Sequence, residues 1–379
     1  MSDPTIKLLR DLVAINSVNP SLVPGGAGEK EIASMVAGEM RAIGMDVEVT
    51  EVAPGRPNVV GVLEGRAQGK SLMLCGHTDT VGVEGMSSPF DPIGRDGRIY
   101  GRGAGDMKGG VAAMIEAARS LANSGGMKAG RLIVAAVADE EYASIGAESL
   151  VKNWSSDAAI VTEPTDLVVS IGHKGFSWVE ITTEGRAAHG SRPLEGRDAI
   201  LRMGRVLSRL EKLDRQLQSQ TPHPVLGTPS LHGSLITGGR ELSTYPDRCV
   251  LQIERRTITG ESATVALNEA EDILAALARE DSEFQASAQL LFSRPPYETP
   301  AGHDLPHALE SAVHRVGRKA SRAGMTYWTD AAILGQAGIP SVIFGPGGGG
   351  YHGLEEYVRV DEVTVCRDAL VSLARDFCA

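Results

Sequence analysis

Six acid and imidazole side chains stand just past short apolar runs of this chain. SLMLCGH ends at His77, RIYGRGAGD at Asp106, and RLIVAAVADEE at Glu140 and Glu141. AAIVTE ends at Glu163, and SVIFGPGGGGYH at His352. Imidazole and carboxylate groups suit borderline divalent metals, and a carboxylate can bridge two of them. An open α/β sheet places its ligand site beyond the carboxyl ends of its strands, so residues far apart in the chain can meet at one rim. Two His and four carboxylates there match the needs of a pair of zinc-like ions.

Each residue also has a plainer reading. In an extended GHTDTV, residues two apart point to the same side. Asp79 could then accept the second N–H of His77 and fix its tautomer; the alternative is a surface His beside a helix-capping Asp. Asp106 lies in GRGAGD, which resembles a phosphate loop but has Asp where GxGxxG needs its last Gly; no Walker sequence is present. Glu140 and Glu141 also suit an acidic helix N-terminus. Pro164 stiffens the turn after Glu163. His352 follows four glycines, as an exposed loop His would, and GPGGGG could form an anion nest. The joint occurrence of all six is what favours a cation site. Neither a GxSxG elbow nor an HExxH helix competes with it.

The elements that must position these residues alternate strand and helix. Helical periodicity covers 5–15 and 28–43, with Gly44 as a stop. Strands follow at 46–52, 57–64 and 71–76, then a buried helix GGVAAMIEAARSLANSGG. A strand at 131–138, a helix near 145–153, and strands at 158–162 and 167–172 complete the run. This order predicts an α/β domain with a mostly parallel sheet. From FSWVEITTEG to FQASAQLLF the order becomes β-α-β-β-α-β, a ferredoxin-like insertion. The expected division is 1–172 with 287–379 as the catalytic domain, and 173–286 as an inserted lid and dimerisation domain. Helices at 306–320 and 361–376 belong to the resumed α/β domain.

Composition excludes several classes. The chain has 379 residues, too many for one core by the usual prior, so two domains are expected. With 37 basic and 48 acidic residues the formal charge is −11, which is no nucleic-acid footprint. No apolar run reaches transmembrane length. The N-terminus, MSDPTIKLLRDLVAI, reads as an amphipathic helix start without a signal peptide's apolar core. Cys75, Cys249, Cys366 and Cys378 form no CxxC pair, and a reduced, cytoplasmic setting is the simplest reading.

GHTDTV, GRGAGDMKGG, DEEYASIGA, TEPT, HKGFSWVEITTEGRAAHGSRPLEGRDAI, YPDRCVLQIERRTITGE and GIPSVIFGPGG…YHGLEEYV occur in the order of one family. The chain resembles, over essentially its whole length, the dinuclear-zinc family of acetylornithine deacetylase, succinyl-diaminopimelate desuccinylase, aminoacylase and glutamate carboxypeptidase. The resemblance implies two Zn²⁺, with Co²⁺ or Mn²⁺ as substitutes. It makes His77 and Glu163 ligands of one ion, Glu141 and His352 ligands of the other, and Asp106 the bridge, in a turn where the family often has a cis peptide. Asp79 then orients His77, and Glu140 is the general base. His189 resembles a histidine that reaches a partner subunit's site, which implies a homodimer. Arg256 resembles the arginine that grips a substrate carboxylate, with Arg255 facing the other way, and Ser243 and Gly347 join it as substrate-binding positions. Ser243 is a departure, since the family commonly has Asn in GGxxxNxxPD and this chain has GGRELSTYPD. The implied activity is hydrolysis of an N-acyl amino acid, acetylornithine-like, by metal-activated water. A dipeptidase or carboxypeptidase of the same family is the alternative. A non-catalytic binding protein on the same fold and a nucleotide-dependent enzyme are more distant ones.

Overall fold

The computed structural model describes residues 3–379; Met1 and Ser2, part of the expected helix start and catalytic domain, lie outside the described residues. The chain forms two compact units. One runs to Gly172 and resumes over Thr299–Ala323 and Thr329–Ala379; the other covers His173–Glu298 and Gly324–Trp328.

The first unit is built on a mixed sheet. Seven of its nine strands run in the order Asp46–Ala53, Arg56–Glu64, Arg131–Val137, Ser71–His77, Ala158–Val161, Ser341–Ile343, Val169–His173. Ser71–His77 and Ala158–Val161 are buried along their whole length, and Arg131–Val137 beyond its first residue. Such continuous apolar runs suit strands covered on both faces, the usual state of parallel strands. These three and Ser341–Ile343 do pair in parallel, whereas the outer pairs are antiparallel. Parallel pairing brings the strand ends level: His77 is opposite Val137, and Cys75 and Ile343 are both opposite Val161. His77, Glu140, Glu141 and Glu163 therefore leave the sheet at one rim.

Helices Pro4–Val13, Lys30–Ile43, Gly109–Asn123 and Val360–Phe377 contribute to the same core as Leu72, Leu74, Val134 and Ile160. Lys30–Ile43 stops where expected, at Gly44 in the left-handed region (φ 89°). A small antiparallel sheet of Ile93–Arg95, Arg98–Tyr100, Tyr357–Arg359 and Gly348–Gly349 was not expected from sequence, because strands of two or three residues carry no periodicity. It sets the segment leading to Asp106 beside the segment leaving His352.

The second unit has four antiparallel strands in the order Ser230–Gly238, Arg248–Thr257, Gly175–Glu184, Gln285–Arg294. Helices Ala199–Gln218 and Val265–Glu280 share its core through Met203, Val206, Leu210, Leu274 and Leu277. Gln285–Arg294 pairs with Gly175–Glu184 along its length, so this unit continues past residue 286, which falls inside that strand. Among the described residues no helix is long and apolar enough to cross a membrane.

Candidate metal centre

The rim of the first unit gathers the expected donors into two groups. His77, Asp106 and Glu163 form one, and Asp106, Glu141 and His352 the other; within each group the donor atoms lie within 4.8 Å of one another. Asp106 is common to both, with Oδ1 3.2 Å from His77 Nε2 and Oδ2 3.3 Å from His352 Nε2. Glu163 lies 3.8 Å from His77 Nε2, and Glu141 3.2 Å from His352 Nε2. Glu140 stands 3.9 Å from His77 Nε2. The Asp106–Met107 peptide bond is cis.

Electrostatics fit this donor set to divalent cations. Burial pushes the Glu140 and Glu163 carboxyls well above their usual range, and neighbouring carboxylates add to it. Burial, reinforced by Asp106, raises Glu141 to about 7. His352 is raised to about 10 by hydrogen bonds to Asp106 and Glu141. Burial opposes charge on His77, but Asp106 and the surrounding carboxylates outweigh it and raise the imidazole well above its usual range. Among the described residues no Lys or Arg forms an ion pair with Asp106, Glu140, Glu141 or Glu163. A dication binds such groups in competition with protons.

Asp79 acts differently from expectation. His77 Nδ1 donates to the backbone carbonyl of Asp79 at 3.0 Å, while the carboxylate is 3.6 Å away. The Asp79 carboxylate instead accepts the backbone N–H groups of Glu140 (3.1 Å) and Glu141 (3.2 Å) and the amide of Asn19 (2.8 Å). It fixes the acidic turn more directly than it fixes the imidazole. Sequence reasoning missed the rest of this support. Asn19 also donates to Asp139, at left-handed φ 72°, and Arg56 joins Asp139 to Glu29. Nothing in the local sequence of Asn19, Glu29 or Arg56 signals that role.

Gly347 is committed within the first unit. Its amide donates to Glu362 and its carbonyl accepts from the amide of Arg359. In the second unit His189 and Ser243 are exposed and adjacent, with the Gly190 amide donating to the Ser243 carbonyl at 2.7 Å. Arg256 donates through Nε to Glu254 at 2.7 Å and lies over the Phe176 ring at 5.5 Å. Arg255 faces the other way and is fully buried, paired with Glu261 and Glu269.

Fold and site define an α/β protein with the donor set of a metal-dependent hydrolase. Comparisons with known proteins agree. Residues 73–376 match the model of peptidase family M20/M25/M40, and the chain belongs to that family. It is 29% identical to the acetylornithine deacetylase of Vibrio vulnificus (strain CMCP6), covering 98% of each chain. It is 28% identical to the N-formyl-4-amino-5-aminomethyl-2-methylpyrimidine deformylase of Bacillus subtilis (strain 168), over 94% of this chain and 91% of that one. A tripeptidase structure from Staphylococcus aureus subsp. aureus Mu50 shares the fold with a TM-score of 0.85 at 21% identity, covering 99% of this chain and 98% of that one. The chain is a hydrolase of amide or peptide bonds.

Proposed function

We propose that the chain deacylates an N-acylated amino acid, using a pair of zinc ions held by His77, Asp106, Glu141, Glu163 and His352. The observation that carries this is Asp106, whose two carboxylate oxygens face two different imidazoles, each with its own glutamate. Bound divalent ions supply Lewis acidity, lowering the pKa of a water and polarising a carbonyl. Glu140 stands beside the donors without belonging to either group, as suits the base that takes a proton from water and returns it to the leaving amine. Asp79 holds Glu140 and Glu141 in place through their amides. Arg256 binds the substrate carboxylate through its guanidinium. His189, exposed in the second unit, supports a homodimer in which it completes the neighbouring subunit's site, with Ser243 beside it. The curated relatives are a deacetylase and a deformylase, which favours a short acyl group over a peptide. Four free, buried cysteines suit the cytoplasm.

The test combines metal content with substrate handling. Protein reconstituted with Zn²⁺ should carry about two ions per chain. N-acetyl amino acids should be cleaved faster than long-acyl or dipeptide substrates. Arg256→Ala should cost roughly 2–5 kcal/mol in kcat/KM for the free acid and far less for its carboxamide. Equal handling of acid and carboxamide by the wild type would sink the carboxylate anchor. Arg255→Ala is no neutral control, because it leaves Glu261 and Glu269 without their buried partner.

A further inference from the structure

We infer that Glu356, with Arg102, is a positioning residue that locks the His352 loop to the Asp106 loop, and that the Asp106–Glu141–His352 group depends on it more than the His77–Asp106–Glu163 group does. The inference rests on the metal-centre reading above.

Glu356 lies four residues after His352 and is 1% exposed. Its carboxylate accepts four hydrogen bonds. Oε2 takes them from Arg102 Nη1 at 2.6 Å and Gly103 N at 3.0 Å. Oε1 takes them from Gly105 N at 2.9 Å and Asp106 N at 3.0 Å. Three of the donors are backbone amides of one loop converging on one anion, and the last is the amide of Asp106 itself. The Glu356 carbonyl also accepts from Gly101 N at 3.1 Å. Arg102 extends the tie: Nε donates to Gly82 O and Nη2 to Gly353 O, both at 3.0 Å. Besides the pairing of Arg98–Tyr100 with Tyr357–Arg359, the loops also meet through Tyr351. A Cβ on Gly105 would stand 2.6 Å from the ring of Tyr351, the residue before His352.

Every partner of the Glu356 side chain is a donor. An amide in its place would turn an NH₂ group toward two of them and cancel the charge facing Arg102, so Glu356→Gln breaks half of the lock while keeping the shape. The two donor groups do not share this dependence equally. His77 and Glu163 follow buried strands of the large sheet, and the side-chain hydrogen bonds of Glu356 go to Arg102, Gly103, Gly105 and Asp106 instead. His352 sits in a loop at left-handed φ 58°, with its side chain 55% exposed. The small sheet pairs the segments flanking this loop, Gly348–Gly349 with Tyr357–Val358, and Glu356 and Arg102 add the side-chain ties nearest to His352.

The experiment is calorimetric titration of the metal-freed full chain with Zn²⁺, alongside its thermal unfolding. Wild type should bind two ions. Glu356→Gln should keep one site at wild-type affinity and weaken the other by about 10–100-fold, the usual effect of losing a partner behind a ligand. Its kcat should recover in excess Zn²⁺ with KM unchanged. Arg102→Lys keeps the charge but loses the Gly82 and Gly353 tethers, so it should show a smaller loss at the same site. It carries the test if Glu356→Gln is not recovered folded. Equal weakening of both sites in step with a lower Tm would mean a merely structural role and overturn the inference, as would two unaltered sites. Wild type binding fewer than two ions would instead overturn the metal-centre reading itself.

Discussion

Arg56→Met tests whether the acidic turn rests on a buried charge network. Arg56 is 4% exposed, Glu29 0% and Asp139 1%. The guanidinium donates to Glu29 through Nε at 2.8 Å and through Nη2, and its Nη1 reaches Asp139 at 2.6 Å and Ser21 at 2.9 Å. Removing it leaves two carboxylates buried without a cation. Breaking a buried pair from one side costs roughly 3–5 kcal/mol. Asp139 keeps Asn19 at 3.0 Å, and Glu29, already raised by burial, can protonate, so the lower end is expected, about 3 kcal/mol. A carboxyl raised in the folded state adds stability below its ordinary value that fades as pH rises through the folded one, so the deficit should shrink as pH falls. Urea unfolding followed by far-ultraviolet circular dichroism measures this. Adding Glu29→Gln to Arg56→Met should cost less than the sum of the two single variants, by roughly 1 kcal/mol or more of coupling. Turnover should fall too, because Asp139 leads directly into Glu140 and Glu141. A single variant within about 1 kcal/mol of wild type at pH 7.5 would refute the reasoning, since that is a surface pair's worth.

Glu140→Gln should retain both ions by elemental analysis yet lose about 10²–10⁴-fold in kcat, the usual cost of removing a general base; wild-type turnover would show that Glu140 is not the base. His173 supplies a pH prediction. Its imidazole is fully buried, donates through Nδ1 to the Lys174 carbonyl at 2.9 Å, and has no partner at Nε2. Burial lowers it to about 4, so the folded form stays neutral while the unfolded chain takes up a proton below about 6.5. Stability is therefore lost as pH falls, by about 2 kcal/mol at pH 5. The difference between wild type and His173→Phe should change by that amount between pH 7.5 and 5 in urea unfolding, and a flat difference would rule it out.

Much of the site was legible because its chemistry is local. His77, Asp106, Glu140, Glu141, Glu163 and His352 each follow an apolar run, and an apolar run bounded by turns reads as a buried strand whichever protein holds it. The alternating strands of the inserted unit were equally readable: Arg255 and Arg256 face opposite ways because side chains alternate across a strand. What an apolar run does not encode is its partner. The large sheet is parallel only at its centre, since pairing direction depends on which strands meet. The roles of Asp79, Arg56 and Glu356 were decided by tertiary structure alone. Each has partners that are backbone amides or charges from distant segments, and loops fix where those point only once the chain has folded. As residue types, these carboxylates and this guanidinium look like ordinary surface charge. They become supports of a metal centre because folding takes them out of water and leaves each with one set of partners that satisfies it.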